Sequence, residues 1–358
     1  MVTAMISTIA FGQVQSDIRT ATLVHRDKTT VYYGEDALVN AYKDAAQGDA
    51  IVLSSGYFNT INIQKSISIY GAGYETDTIS GLAPTQINRL AISPNTLVDE
   101  NENSTDSYPI VHLEGRYLKA TDTDGRNDSG LRIIPSENNG ILTNFTLKKC
   151  RINGNFPIQT ATKNCSIRQC VLKNIQGEHV TVTTGYGGSY YKGYLPEGQE
   201  QLNIENCWIN TATGTIGIEN TITYNHCIIM DVSSGYAHYT NCIIKDWLPD
   251  NCTANYNIFT TNKIGSNITG IENYVDVPVE LIFADPNENG SYSSSAKFII
   301  QDPDLRKGTD GTEIGINGGM YPFDRIPSTP RILESNIDLE TTSDGKLNVS
   351  LKVQAQSK

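Results

Sequence analysis

Positive charge and long apolar runs are scarce in this chain, and each shortage removes a class of function. Lys and Arg number 27 against 39 Asp and Glu in 358 residues, a net charge of −12. A protein that tracks nucleic-acid phosphates needs a basic footprint, so nucleic acid is not the expected partner. No apolar run approaches the roughly 18 residues that span a bilayer, which removes an integral membrane segment. Charged residues, at 18%, are too few to keep the chain solvated and disordered, and 30 Gly without a strict period do not make collagen. The seven Cys include no Cys-x-x-Cys pair, so zinc ribbons and thioredoxin-like sites are not expected. Gly-Lys-Ser/Thr, His-Glu-x-x-His and Gly-x-Ser-x-Gly strings are missing too. Tyrosine dominates the aromatics, with 19 Tyr against 8 Phe and 2 Trp.

What is present is a repeat built around cysteine. Cys150, Cys170, Cys207, Cys227 and Cys242 define a column. Five residues before them stand Phe145, Cys165, Leu202, Ile222 and Ala237, and three before stand Leu147, Ile167, Ile204, Tyr224 and Tyr239. Two after stand Ile152, Leu172, Ile209, Ile229 and Ile244. A further copy, with Cys252, Ala254 and Phe259, puts Asn257 at the cysteine position. The template apolar-x-apolar-x-x-Cys-x-apolar is two short strands joined at a corner. Its copies are spaced 20, 37, 20, 15 and 15 residues apart. Such a unit cannot bury its face alone, so copies stack into a solenoid of parallel strands about 4.8 Å apart. At ~3.3 Å per residue, coils of 15 to 20 residues close on a perimeter of roughly 50–66 Å. The cysteines then form a buried file of small side chains, although stacked Cα atoms at this spacing also fall within disulfide range. The corner residues Gln169, Asn206, His226 and Asn241 form a second column, expected to hydrogen-bond from coil to coil.

Both ends carry their own signals. Residues 2–12 are a short apolar run ending in small residues, read as a secretory signal remnant, with a buried first strand as the other possibility. Leu38, Ala41, Tyr42 and Ala45 have helical spacing between Glu35-Asp36 and Gly48, which predicts a cap helix in a lead segment of residues 13–49. The solenoid is assigned to 50–327. Leu347, Val349, Leu351 and Val353 alternate with polar residues after Asp344-Gly345, predicting a hairpin tail over 328–358 that covers the last coil or packs along the solenoid.

Gly48-Asp49-Ala50-Ile51-Val52-Leu53, Gly56-Tyr57 and Ile67-Ser68-Ile69-Tyr70-Gly71-Ala72-Gly73 resemble the opening of right-handed parallel β-helix proteins of the pectate-lyase-like superfamily. Ile282-Phe283-Ala284-Asp285-Pro286 and Gly308-Thr309-Asp310-Gly311-Thr312-Glu313-Ile314-Gly315 resemble the closing segment of exported β-helix proteins from Bacteroidetes-type bacteria. The resemblance implies an all-β, right-handed parallel β-helix that is secreted or on the cell surface. It carries over no catalytic residue: Asn-Thr-Asp, Asp-Asp, Gly-His-Gly, Arg-Ile-Lys and Trp-x-Asp-His strings are all missing. The superfamily includes lyases, hydrolases, epimerases and non-catalytic binding proteins.

Three constellations could carry chemistry. Asp231 and Asp246 follow Cys227 and Cys242 by four residues, so they fall on neighbouring rungs about 5 Å apart, the separation of a retaining carboxylate pair, with Lys245 or His226 assisting. The same column holds Asn174 and Thr211, so the position also reads as a strand-ending turn that favours Asp, Asn and Thr. Tyr186, Tyr190, Tyr191 and Tyr194 lie in the extra length between Cys170 and Cys207, where a loop could stack on sugar rings or cover the outward stripe of Trp208, Ile228 and Ile243. Asp122, Asp124 and Asp128 have the spacing of a Ca2+ loop, but they lack its bidentate Glu and also read as a solvated acidic loop. The leading expectation is a surface or secreted protein that engages polysaccharide. A lyase or hydrolase using Asp231 and Asp246 is the second reading, and an adhesin docking a protein on the Trp208 stripe the third.

Overall fold

The computed structural model describes residues 19–77, 81–119, 130–134, 136–138, 140–158, 160–177, 181–183, 189–191, 202–213, 222–234, 237–245, 247–248, 250–304, 306–337 and 341–354. Two long sheets dominate it. The first runs in the order Lys28–Tyr33, Thr20–His25, Asp49–Leu53, Ile67–Tyr70, Val111–Glu114, Thr146–Lys148, Cys165–Arg168, Leu202–Glu205, Ile222–Asn225, Ala237–Thr240, Thr253–Asn255. The second includes Thr85–Ile87, Tyr117–Lys119, Arg151–Ile158, Val171–Gly177, Trp208–Thr213, Ile228–Ser234, Ile243–Ile244 and Ile258–Phe259. From Asp49 onward, neighbours in both sheets pair parallel. Each coil gives one strand to the first sheet and one or two to the second, an arrangement consistent with a β-solenoid.

The register follows the cysteine template. Cys165, Leu202, Ile222 and Ala237 are Cα partners in turn, as are Leu147, Ile167, Ile204, Tyr224 and Tyr239. On the second sheet Ile152, Leu172, Ile209, Ile229, Ile244 and Phe259 align. All of these are buried, and Tyr224 and Tyr239 stack face to face inside the coil at 5.0 Å. All seven cysteines are free and buried.

The thiols do more than fill space. The residue before each column member has positive φ: Lys149, Gln169, Asn206, His226 and Asn241 lie between 48° and 56°. That left-handed corner turns the chain and takes backbone groups out of the ladder. The column side chain takes them up. Cys170 N–H donates to Cys207 Sγ at 3.3 Å, and the Cys207 thiol donates to the Glu205 carbonyl at 3.2 Å. Asn257 does the same with an amide, accepting from Cys242 N–H at 2.8 Å and donating to the Tyr239 carbonyl at 2.9 Å. This equivalence is why Asn can stand in the cysteine file.

The structure differs from expectation at both ends. Thr20–His25 and Lys28–Tyr33 form a hairpin that adds antiparallel to Asp49–Leu53. A helix follows over Ala37–Asp44 and buries Ala37, Leu38 and Ala41. At the other end, residues 282–328 run back along the solenoid. Arg331–Ile337 and Val349–Gln354 do pair as an antiparallel hairpin. Yet Leu347, Val349, Leu351 and Val353 are each about half exposed, so they cover no coil. The reason is placement. Ser328 is hydrogen-bonded to Glu114, and the strand Thr253–Asn255 lies six positions further along the first sheet, about 29 Å away at roughly 4.8 Å per strand.

Candidate functional site

The corner column builds the site by holding the returning segment. Asn241 Oδ1 accepts from Thr309 N–H at 2.9 Å. His226 Nδ1 lies 3.2 Å from the Gly315 carbonyl and Nε2 3.1 Å from Asp310. Asn206 Nδ2 donates to the carbonyls of Ile316 and Gly318, at 2.9 and 2.7 Å. Gln169 donates to the Pro322 carbonyl, and Lys149 to Asp324 and the Ile326 carbonyl. Residues 309–328 therefore form a strap, bonded one side chain per coil. Coil-to-coil bonding within the column, the sequence expectation, survives at Asn241, which reaches Asn225 and His226. Elsewhere the column bonds to the strap.

The strap leaves a cleft of about 830 Å³ against the outer face of the first sheet. Tyr70, Glu114, Lys148 and Arg168 are successive register partners on that face, with His112 and Thr146 in the adjoining column. Tyr321 and Asp324 of the strap form the opposite wall, and Met320, 83% exposed, stands at the rim. Arg168 lies 4.2 Å from the Tyr321 ring centre and is paired with Glu205 at 2.6 Å. His112 packs against the Tyr70 ring at 5.3 Å.

Glu114 is the electrostatic centre of this wall. Burial alone would push its carboxyl up. Hydrogen bonding with His112 and with the hydroxyl and N–H of Ser328, reinforced by the Lys148 charge, outweighs burial and holds it at about 2. It is therefore ionised at neutral pH, with His112 Nε2 at 3.5 Å and Lys148 Nζ at 3.9 Å. An ionised carboxylate can orient an imidazole or a lysine, but it has no proton to donate.

The residues singled out from sequence do not converge here. Trp208 is buried: its indole N–H donates to the Gly290 carbonyl and its ring packs on Tyr292 at 5.5 Å. Val171, Trp208, Ile228, Ile243 and Ile258 form one apolar cluster with Ile282, Phe283, Phe298, Ile314 and Ile316. The outward stripe exists, but the chain's own returning segment covers it, so Trp208 offers no face to sugar or protein. His226 is fully buried under the strap, which removes it as an acid or base toward substrate. Asp231 is half-buried and pairs with Thr211 inside the strand Ile228–Ser234, so the position is a ladder position and not the strand-ending turn expected from sequence. Lys245 is half-buried, and its backbone N–H donates to the Ile229 carbonyl. Asp246, Tyr186, Tyr194, Asp122, Asp124, Asp128 and residues 2–12 lie outside the described residues. Tyr190 and Tyr191 belong to a strand, Ser189–Tyr191, antiparallel to Thr181–Thr183. Among the described residues, no group of three or more His, Cys, Asp or Glu is placed to hold a metal ion, and no helix is long and apolar enough to cross a membrane.

Sequence reasoning missed the cleft because its two walls are more than a hundred residues apart. One wall was within reach. The outward position two before the column residue reads Glu114, Lys148, Arg168, Glu205 along four successive rungs, a charged row with two bases between two acids. No family model, no curated protein and no solved structure matches the chain.

Proposed function

We propose that this chain is an exported right-handed parallel β-helix of the pectate-lyase-like kind, capped by its amino-terminal helix and ending in a hairpin tail, that engages polysaccharide in the cleft under the strap. The observation that carries this reading is the cleft itself: about 830 Å³, with tyrosines on both walls and hydrogen-bonding groups between them. Volumes of roughly 300–1,000 Å³ are typical of ligand sites. A sugar ring has apolar faces that suit Tyr70 and Tyr321, and a rim of hydroxyls that suits Thr146, Lys148 and Asp324. A rigid sheet on one side and a strap pinned at every coil on the other hold these groups in place before a ligand arrives.

The test is retention on an array of defined glycans. The intact protein is expected to retain a subset, and Tyr321→Ala to lose it. Retention of nothing by the intact protein defeats the reading. A catalytic version draws on the His112–Glu114 contact, and incubation of retained glycans with assay for new reducing or unsaturated ends decides it.

A further inference from the structure

The rung that opens the cleft carries an unusual core residue. Val111, Leu113 and Leu118 fit the repeat template, but its column position is filled by Arg116. Since Tyr117 is the register partner of Gln86 and of Arg151, Arg116 lies between Thr85 of the coil before and Cys150 of the coil after. It has no exposed surface. Nη2 reaches the Glu114 carbonyl at 3.3 Å, while Nε and Nη1 are buried without an acceptor.

Nothing in the column supplies acceptors for these two donors. Thr85 Oγ1 accepts from Ala72 N–H and donates to the Ser54 carbonyl. The Cys150 thiol donates to the Lys148 carbonyl at 3.2 Å, and burial pushes it up to about 12, so it is neutral. The Glu114 carboxylate is engaged on the cleft side by Ser328, His112 and Lys148. Burial lowers Arg116 only to about 10, which leaves it charged at neutral pH. The Glu114 charge acts on Arg116 through space, but a fully buried cation with two unused donors is still among the costlier groups a core can hold. Water would satisfy the donors and leave the charge. The packing also limits size: at the corner of the same rungs, a carbon added to Gly71 would meet the Gly115 carbonyl at 2.2 Å.

We propose that Arg116 binds one small inorganic anion, of chloride size, inside the solenoid between the coil of Thr85 and the coil of Cys150. The site is separate from the cleft and independent of the glycan reading. Its role is to let a guanidinium occupy the cysteine file at the rung where Glu114 and the end of the strap meet.

The test compares the full chain in sodium chloride, sodium bromide and sodium gluconate at equal ionic strength. The melting midpoint is expected to rise with halide concentration, by about 3–5 °C at a hundredfold excess over Kd. Arg116→Met should remove that dependence, whereas a general salt effect would move both proteins alike. Bromide-soaked crystals of the unmodified protein give a readout that needs no variant: an anomalous peak within hydrogen-bonding distance of Arg116 Nε or Nη1. A midpoint indifferent to halide, an unchanged halide dependence in Arg116→Met, or density at Arg116 without bromide signal would each overturn the proposal.

Discussion

At the residue scale, the cysteine file shows how much chemistry a spacing can encode. The column was legible because five successive coils from Cys150 to Cys242 place the same small side chain at the corner. Its hydrogen-bonding duty was not legible, because composition presents Cys as a small apolar residue. Asn257 was the clue: an amide is tolerated only where donor and acceptor are both used. Asn257→Ala would strand the Cys242 N–H and the Tyr239 carbonyl. At roughly 1–3 kcal/mol for each buried group left unmade, urea unfolding should show a loss of about 2–6 kcal/mol. Asn257→Cys should recover most of it, since the five preceding columns use Cys. Gly318 makes a second residue-scale point. A Cβ there would meet the Glu313 carbonyl at 1.9 Å and His226 Nδ1 at 2.6 Å. Gly318→Ala is expected to lift the strap locally, read as faster hydrogen exchange at Gly318 and Gly319.

At the scale of elements, the strap is what the sequence concealed. Its glycines and its Asp310-Gly311 turn looked like a closing segment. Nothing in their spacing shows that the chain reverses and runs back past the coils it has just made. The partners it finds are the corner side chains, whose left-handed backbone aims them outward at one per coil. The apolar stripe of Trp208, Ile228 and Ile243 was legible as a row, but not the returning segment that covers it. Periodicity gives the facing of a strand but not what later chain covers it. The terminal strands do pair, but the strap leads to them from the Glu114 rung, far from the last coil they were expected to cover.

The grip of the strap depends on pH through Glu114. Its folded carboxyl sits at about 2 against an ordinary 4.5. A folded value below the unfolded one stabilises fully above about 4.5, and that contribution is lost as pH falls toward about 2. Asp310 adds in the same direction. Burial would raise it, but bonding from the Thr312 hydroxyl and N–H and contact with His226 lower it. Hydrogen exchange at Ser328 N–H, corrected for intrinsic rate, should therefore be slow at pH 6 and faster at pH 3. Glu114→Gln should exchange quickly at both. Equal protection at the two pH values in the unmodified protein would count against Glu114 as the clasp.

At the scale of the whole molecule, stacked coils supply a flat rigid wall, and the returning chain supplies a second wall facing it. The tyrosines that spacing places in a loop, Tyr190 and Tyr191, and the cleft tyrosine Tyr321 make rival claims on a sugar ring. Titration calorimetry with a glycan retained by the unmodified protein separates them. The account predicts that Tyr321→Ala weakens binding by about tenfold or more, the worth of one aromatic stack, while Tyr190→Ala combined with Tyr191→Ala leaves affinity unchanged. Full affinity in Tyr321→Ala, with loss in the Tyr190 and Tyr191 double variant, would contradict it.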